Sequence, residues 1–197
     1  MTRTSEIRSR LLAALDRRGA DSSDFDLNPD TKLPENRILR PAAVLIAFDP
    51  DGRLLLTKRS AKLKHHPGQI AFPGGKSDQG ETATETALRE ACEEVGLMPA
   101  QVDVIGALPV HETVTGFVVT PVVALITSEF IPTPEVGEVE EAFWVPFDHI
   151  ASPRNFRIEG RRWQGRRRYY YAVPYGPYYI WGATARMLRG LAGRLCE

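Results

Sequence analysis

Residues 82–96, TATETALREACEEVG, constrain the fold more than any other stretch of this 197-residue chain. Thr82 and Glu85 stand at the spacing of a capping box, and Gly96 supplies a left-handed stop, so the spacing predicts a helix from Thr82 to Val95. Leu88, Ala91 or Cys92, and Val95 form its apolar face. The other side is crowded with like charge: Glu90 and Glu94 lie one turn apart, and Glu93 flanks them. Such pairs cost a helix roughly 0.2–0.5 kcal/mol each. Folding alone gives no reason to accept that cost, so something else must compensate it.

The segments around this helix read mostly as strands. AAVLIAF (42–48), the turn Asp49-Pro50-Asp51-Gly52 and RLLLT (53–57) predict strand, turn, strand. IAFPGG (70–75) is a short extended piece ended by Pro-Gly-Gly, and VDVIGALPV (102–110), FVVTPVVALI (117–126), EEAFWVPF (140–147) and RRYYYAVPY (167–175) are further strand candidates. Amphipathic helices are expected at Glu6–Arg17, ended by Gly19, and at Thr184–Leu195, where Met187, Leu188, Leu191 and Leu195 repeat at helical spacing. Residues 19–40 read as an irregular connector. The expected organisation is an N-terminal helix and connector over 1–40 and one α+β or mixed α/β domain over 41–197. A chain that is 43% hydrophobic and of this length can bury a sizeable core.

Composition excludes some classes. Twenty-five basic and twenty-five acidic residues cancel, so no nucleic-acid partner is expected from overall charge. RRWQGRRRYYY (161–171) interleaves basic and aromatic residues as a nucleic-acid surface does, but a strand pair turning at Gln164-Gly165 accounts for it better. No apolar run approaches 18 residues, so no membrane-spanning helix is expected. The N-terminal segment lacks a secretory apolar region, and a transit peptide is the weaker alternative. Cys92 and Cys196 make no disulfide framework, which fits reduced thiols and a cytoplasmic location.

The chemistry lies in charge segregation. Arg53, Lys58, Arg59, Lys62, Lys64 and Lys76 occupy a stretch without acids, and Asp78, Glu81, Glu85, Glu90, Glu93 and Glu94 follow with only Arg89 opposing. Clustered carboxylates suit Mg²⁺ or Mn²⁺, and adjacent cations suit the phosphates of a small-molecule polyphosphate ester. Glu90, Glu93 and Glu94 are the expected metal ligands and catalytic groups. Arg89, one turn from both Glu85 and Glu93, is expected to pair with either and hold the cluster. Gly74 and Gly75 are expected to let backbone approach substrate. His65 or His66 could stand beside a phosphate, His111 reads as a satisfied loop histidine, and Glu138 competes with Glu135, Glu140 and Glu141 to supply one more carboxylate.

Gly75, Glu81, Arg89-Glu90, Ala91, Glu93-Glu94 and Gly96-Leu97 resemble the Nudix box, Gly-x5-Glu-x7-Arg-Glu-U-x-Glu-Glu-x-Gly-U with U a bulky aliphatic residue. Ala91 is smaller than the usual U. The resemblance implies an α/β/α sandwich with a loop–helix–loop metal site that hydrolyses a nucleoside diphosphate linked to another moiety. LLTKRSAKLKHHPGQIAFPGG (55–75) is similar to the motif that precedes the box in the coenzyme A pyrophosphatase branch, with Lys64 where the pattern has Arg, and IWGATARML (180–188) also looks like that branch. This implies cleavage of coenzyme A to 4′-phosphopantetheine and 3′,5′-ADP, with Arg59, Lys62 and Lys64 as candidates for the substrate phosphates. Two alternatives stand: a broader hydrolase of ADP-ribose or dinucleotides, and a nucleotide-sensing module without turnover.

Overall fold

The first helix, α1, runs from Arg3 to Asp16, three residues earlier at its start than the apolar spacing suggests, and it ends before Gly19. Its Ile7, Leu11 and Ala14 are buried. This computed structural model describes residues 3–31, 33, 36–163 and 165–196. The connector that follows α1 is less irregular than expected. Ser22–Ser23 form a two-residue strand, β1, that pairs in parallel with His111 and Glu112. The pairing is invisible in sequence because two polar residues carry no periodicity.

Strand β2 (Arg40–Phe48) turns into β3 (Arg53–Arg59). Asp49, almost wholly buried, makes the turn: its carboxylate accepts from the Arg53 amide at 2.7 Å and from Arg53 Nε at 2.8 Å, while Gly52 takes a φ of 75° that other residues rarely adopt. Next come β4 (Ile70–Ala71), β5 (Gly74–Lys76), helix α2 (Ala83–Val95), β6 (Val102–Ala107), β7 (His111–Glu112), β8 (Phe117–Ile126) and β9 (Val139–Pro146). A short helix α3 (Phe147–Ala151), a hairpin of β10 (Arg157–Trp163) and β11 (Arg166–Ala172), and helix α4 (Gly182–Cys196) complete the chain. The hairpin matches the strand pair expected there, and Gln164 of its turn lies outside the described residues.

The main sheet is mixed. β2 and β8 run parallel from Arg40↔Phe117 to Phe48↔Leu125, whereas β3, β5, β6, β7 and β9 join antiparallel. β2 and β3 are nearly continuous apolar runs because both sheet faces are covered. On one face Phe48, Leu54, Leu56, Phe143 and Val145 pack with residues of α1, α3 and α4. On the other, Ala43, Leu45, Ala47, Leu55 and Val122 pack with Ala87, Ala91 and Val95 of α2. The architecture is thus an α/β sandwich with helices on both sides of a mixed sheet. Ala91, fully buried opposite other small residues, lets α2 sit close to the sheet.

The capping box of α2 forms as its spacing predicts. Glu85 N donates to Thr82 Oγ1 at 3.2 Å and Thr82 N donates to Glu85 Oε2 at 2.8 Å, while Gly96 closes the helix at a φ of 73°. His111 is fully buried and satisfied, with Nδ1 2.9 Å from Ser22 Oγ and Nε2 3.2 Å from Asp24. Loss of an N-cap hydroxyl costs about 1 kcal/mol. Thr82→Ala should therefore lower the melting temperature by roughly 2–4 °C in calorimetry, and an unchanged melting temperature would show the cap to be idle.

Candidate active site

β5 runs beside the middle of α2, and the functional side chains meet between them. Gly74 N donates to Glu94 Oε2 at 3.3 Å. Gly75 has no side chain because the Glu90 carboxylate occupies that space: a Cβ there would lie 2.5 Å from Glu90 Cδ. The two glycines, expected to face substrate, are met in this structure by the glutamates. A Cβ on Gly74 would also fall 2.5 Å from the Ala43 carbonyl oxygen, so that strand crossing admits no side chain.

Arg89 organises the group. Its Nε donates to Glu81 Oε1 at 2.7 Å, its Nη1 to Glu90 at 2.9 Å and Glu93 at 3.0 Å, and its Nη2 to the Lys76 carbonyl at 3.2 Å. Of the two partners offered by helical spacing, Arg89 takes Glu93 and not Glu85, because Glu85 is engaged by its own cap at Thr82. Glu81, placed just before the helix, takes that role instead, and the buried Thr86 hydroxyl donates to it at 2.9 Å. The hydrogen bond from Arg89 draws Glu81 down to about 2. Thr86 is a site residue that the sequence pattern did not single out; a hydroxyl inside an otherwise apolar helix face was its only signal.

The three glutamates occupy different environments. Glu93 is 59% exposed, Glu90 17% and Glu94 only 6%. Burial raises the proton affinity of Glu90 and pushes Glu94 up to about 8, opposed in Glu94 by the Gly74 amide. Arg59 Nη1 stands 4.0 Å from Glu94, while Arg59 Nε is buried with no hydrogen-bond partner among the described residues. Two of the four candidates near residue 138 have their carboxylates engaged away from the cluster. Glu140 pairs with Lys58 at 2.7 Å, Glu141 accepts from the Tyr178 hydroxyl, and the Glu135 amide donates to the Glu94 carbonyl at 2.9 Å. The charge of Glu138 is the one that acts on both Glu90 and Glu94. Lys62, Lys64, His65 and His66 stand exposed in the loop between β3 and β4, which His66 turns with a φ of 53°.

Among the described residues no three carboxylate, imidazole or thiolate groups stand close enough to share an ion. The cause is visible: Arg89 holds the carboxylates of Glu90 and Glu93. The donor chemistry nevertheless fits a hard divalent cation. Partly buried Glu90 and buried Glu94 repel each other and both hold a proton more tightly than a free carboxyl, which marks negative charge short of a counter-charge.

The sequence of this chain matches the NUDIX domain over residues 38–164. The chain belongs to the Nudix family. A Nudix hydrolase NudL of Pectobacterium atrosepticum, described as uncharacterized, is 45% identical over 185 residues, covering 89% of this chain and 95% of its own. A protein of the same description from Klebsiella pneumoniae is 38% identical over 184 residues, covering 86% and 96%. Among solved structures, the Nudix hydrolase RenU of M. smegmatis aligns with a TM-score of 0.46 at 30% identity over 58% of this chain and 74% of its own. The family consists of hydrolases of phosphoric anhydrides that generally use divalent metal ions. That membership places turnover ahead of the sensing-module alternative.

Because the folded state holds a proton on Glu94 more tightly than the unfolded chain does, its contribution to stability is full below about pH 4.5 and is lost as pH rises towards 8. Glu94→Gln keeps the shape and removes the charge. In EDTA at pH 8 it should melt roughly 4 °C or more above wild type, with the gap closing near pH 5. Equal melting curves at both pH values would show that the carboxylate is not strained.

Proposed function

We propose that this enzyme hydrolyses the diphosphate linkage of coenzyme A or its thioester or oxidised derivatives, giving 4′-phosphopantetheine and 3′,5′-ADP. The observation that carries this reading is Arg59. It belongs to the 55–75 segment that resembles the coenzyme A pyrophosphatase motif, and it stands at the buried Glu94 with an unpartnered Nε. An Arg that keeps an unused donor against a carboxylate cluster is suited to a phosphate oxygen.

Glu90, Glu93 and Glu94 would hold Mg²⁺ or Mn²⁺. Such an ion supplies neutralisation of the diphosphate charge and makes water easier to deprotonate. The chain's own residues do the rest. Arg89 and Glu81 fix the direction of Glu90 from α2, and Gly75 leaves the space in which that carboxylate lies. Glu93, exposed and tied to Arg89 alone among the described contacts, can turn towards a cation. Arg59 draws one phosphate against the helix, and Lys62 and Lys64 offer exposed charge for others, including a 3′-phosphate. Glu138, an exposed acid whose charge reaches Glu90 and Glu94, would take the proton of the attacking water.

ADP-ribose is the second candidate substrate, because Lys64 stands where the branch pattern has Arg and so lacks a bidentate grip. Incubation with coenzyme A and Mg²⁺, with products identified by mass, should give 4′-phosphopantetheine and 3′,5′-ADP faster than ADP-ribose is cleaved. Glu90→Gln and Glu94→Gln should each lower kcat at least 100-fold, and Arg59→Gln should lower kcat/KM for coenzyme A about 10- to 100-fold. A clear preference for ADP-ribose would replace the substrate assignment, and full activity in both glutamate variants would remove the metal site.

A further inference from the structure

The β10–β11 hairpin stands apart from the main sheet, and β11 lies beyond the residues matched to the NUDIX domain. Its register sets like charge directly against like charge: Arg161 faces Arg168 and Arg162 faces Arg167. Opposed like charges destabilise a strand pair. Among the described residues none of these four arginines has a carboxylate within ion-pair distance, whereas Glu159, the acid of the hairpin, is taken by the Tyr179 hydroxyl at 2.5 Å. The zero net charge of the chain therefore hides a strong local excess of cation.

Alternation along the strands puts Gly160, Arg162, Arg167 and Tyr169 on one face. Gly160 is a seat. A Cβ there would lie 2.7 Å from Arg167 Nε and 3.1 Å from the Tyr169 ring, so both side chains fold across the glycine. The Arg167 guanidinium sits 5.5 Å from the Tyr169 ring centroid. The ring remains 42% exposed, and Arg162 and Arg167 are exposed beside it. The Tyr169 backbone is pinned from the other direction by Asn28, whose side chain both donates to its carbonyl at 2.9 Å and accepts from its amide at 2.8 Å. The platform is therefore positioned in advance.

We propose that this hairpin face is a docking surface for single-stranded nucleic acid, with Tyr169 stacking on a base and Arg162 and Arg167 on the flanking phosphates. A half-exposed ring with one guanidinium against it and a second arginine on the same strand face matches a polymer that alternates bases and phosphates. An anionic lipid surface would need only the cations and would draw on a larger apolar tip. The site is separate from the glutamate cluster and does not depend on which diphosphate is cleaved.

Fluorescence anisotropy of a labelled 20-nucleotide oligo(U) against the full chain tests this. Wild type should bind with a dissociation constant of about 10 μM at 50 mM salt. Arg162→Gln with Arg167→Gln should weaken binding at least tenfold and flatten the slope of log K against log salt by about 1.4. Tyr169→Leu, which keeps an apolar cover over Gly160, should weaken binding at least fivefold with the salt slope unchanged. Both variants should retain wild-type hydrolysis of the small substrate, which reports correct folding. Absence of oligonucleotide binding, undiminished binding by the double variant, or binding to phosphatidylglycerol vesicles in place of the oligonucleotide would each overturn the proposal.

Discussion

One guanidinium holds Glu81, Glu90 and Glu93 together, and the site depends on how it does so. Arg89 makes these bonds from within the same helix, so the geometry of three acids is fixed by α2 and the turn before it. It also reaches the Lys76 carbonyl on β5, which ties the helix to the strand that carries Gly74 and Gly75. Charge is only partly balanced by this arrangement. Arg89 offsets the outer acids, while Glu94, turned to the sheet, has a backbone amide and a guanidinium 4.0 Å away. A fold optimised for stability alone would not bury a carboxylate so thinly matched. The divalent cation proposed for this site would relieve that imbalance.

Much of the fold was legible because its elements obey simple periodicities. β2, β3 and β8 are apolar runs of strand length, α2 has both its caps written in its sequence, and α4 repeats apolar residues at helical spacing. What stayed hidden rests on partners distant in sequence. β1 exists only because His111, 89 positions from Ser22, offers it a ring nitrogen and an edge. The burial of α1 follows from the sheet face that receives it, which no window of the sequence specifies.

The site was legible in its residue types and less so in its geometry. Spacing along α2 located Glu90, Glu93, Glu94 and Arg89, but the Arg89–Glu81 pair depends on the path of the turn before the helix, and helical spacing offered only Glu85 and Glu93 as partners. Glu138 could not be told from Glu135, Glu140 and Glu141 by sequence. Strand register and a bulge between Lys58 and Arg59 separate them, sending Glu140 to Lys58 and Glu141 to Tyr178. The glycine pair illustrates the same limit: its small size was evident, but which neighbour uses the space was not.

The grip of Asn28 on Tyr169 has an effect beyond placing a ring. An isolated two-stranded ribbon offers unsatisfied amides and carbonyls along both margins, and a second ribbon could zip onto either one. By imitating one residue of a neighbouring strand with its side-chain amide, Asn28 occupies the outer margin of β11 at its middle. A single amide group thereby guards a tyrosine-rich ribbon against templated self-assembly without adding a strand.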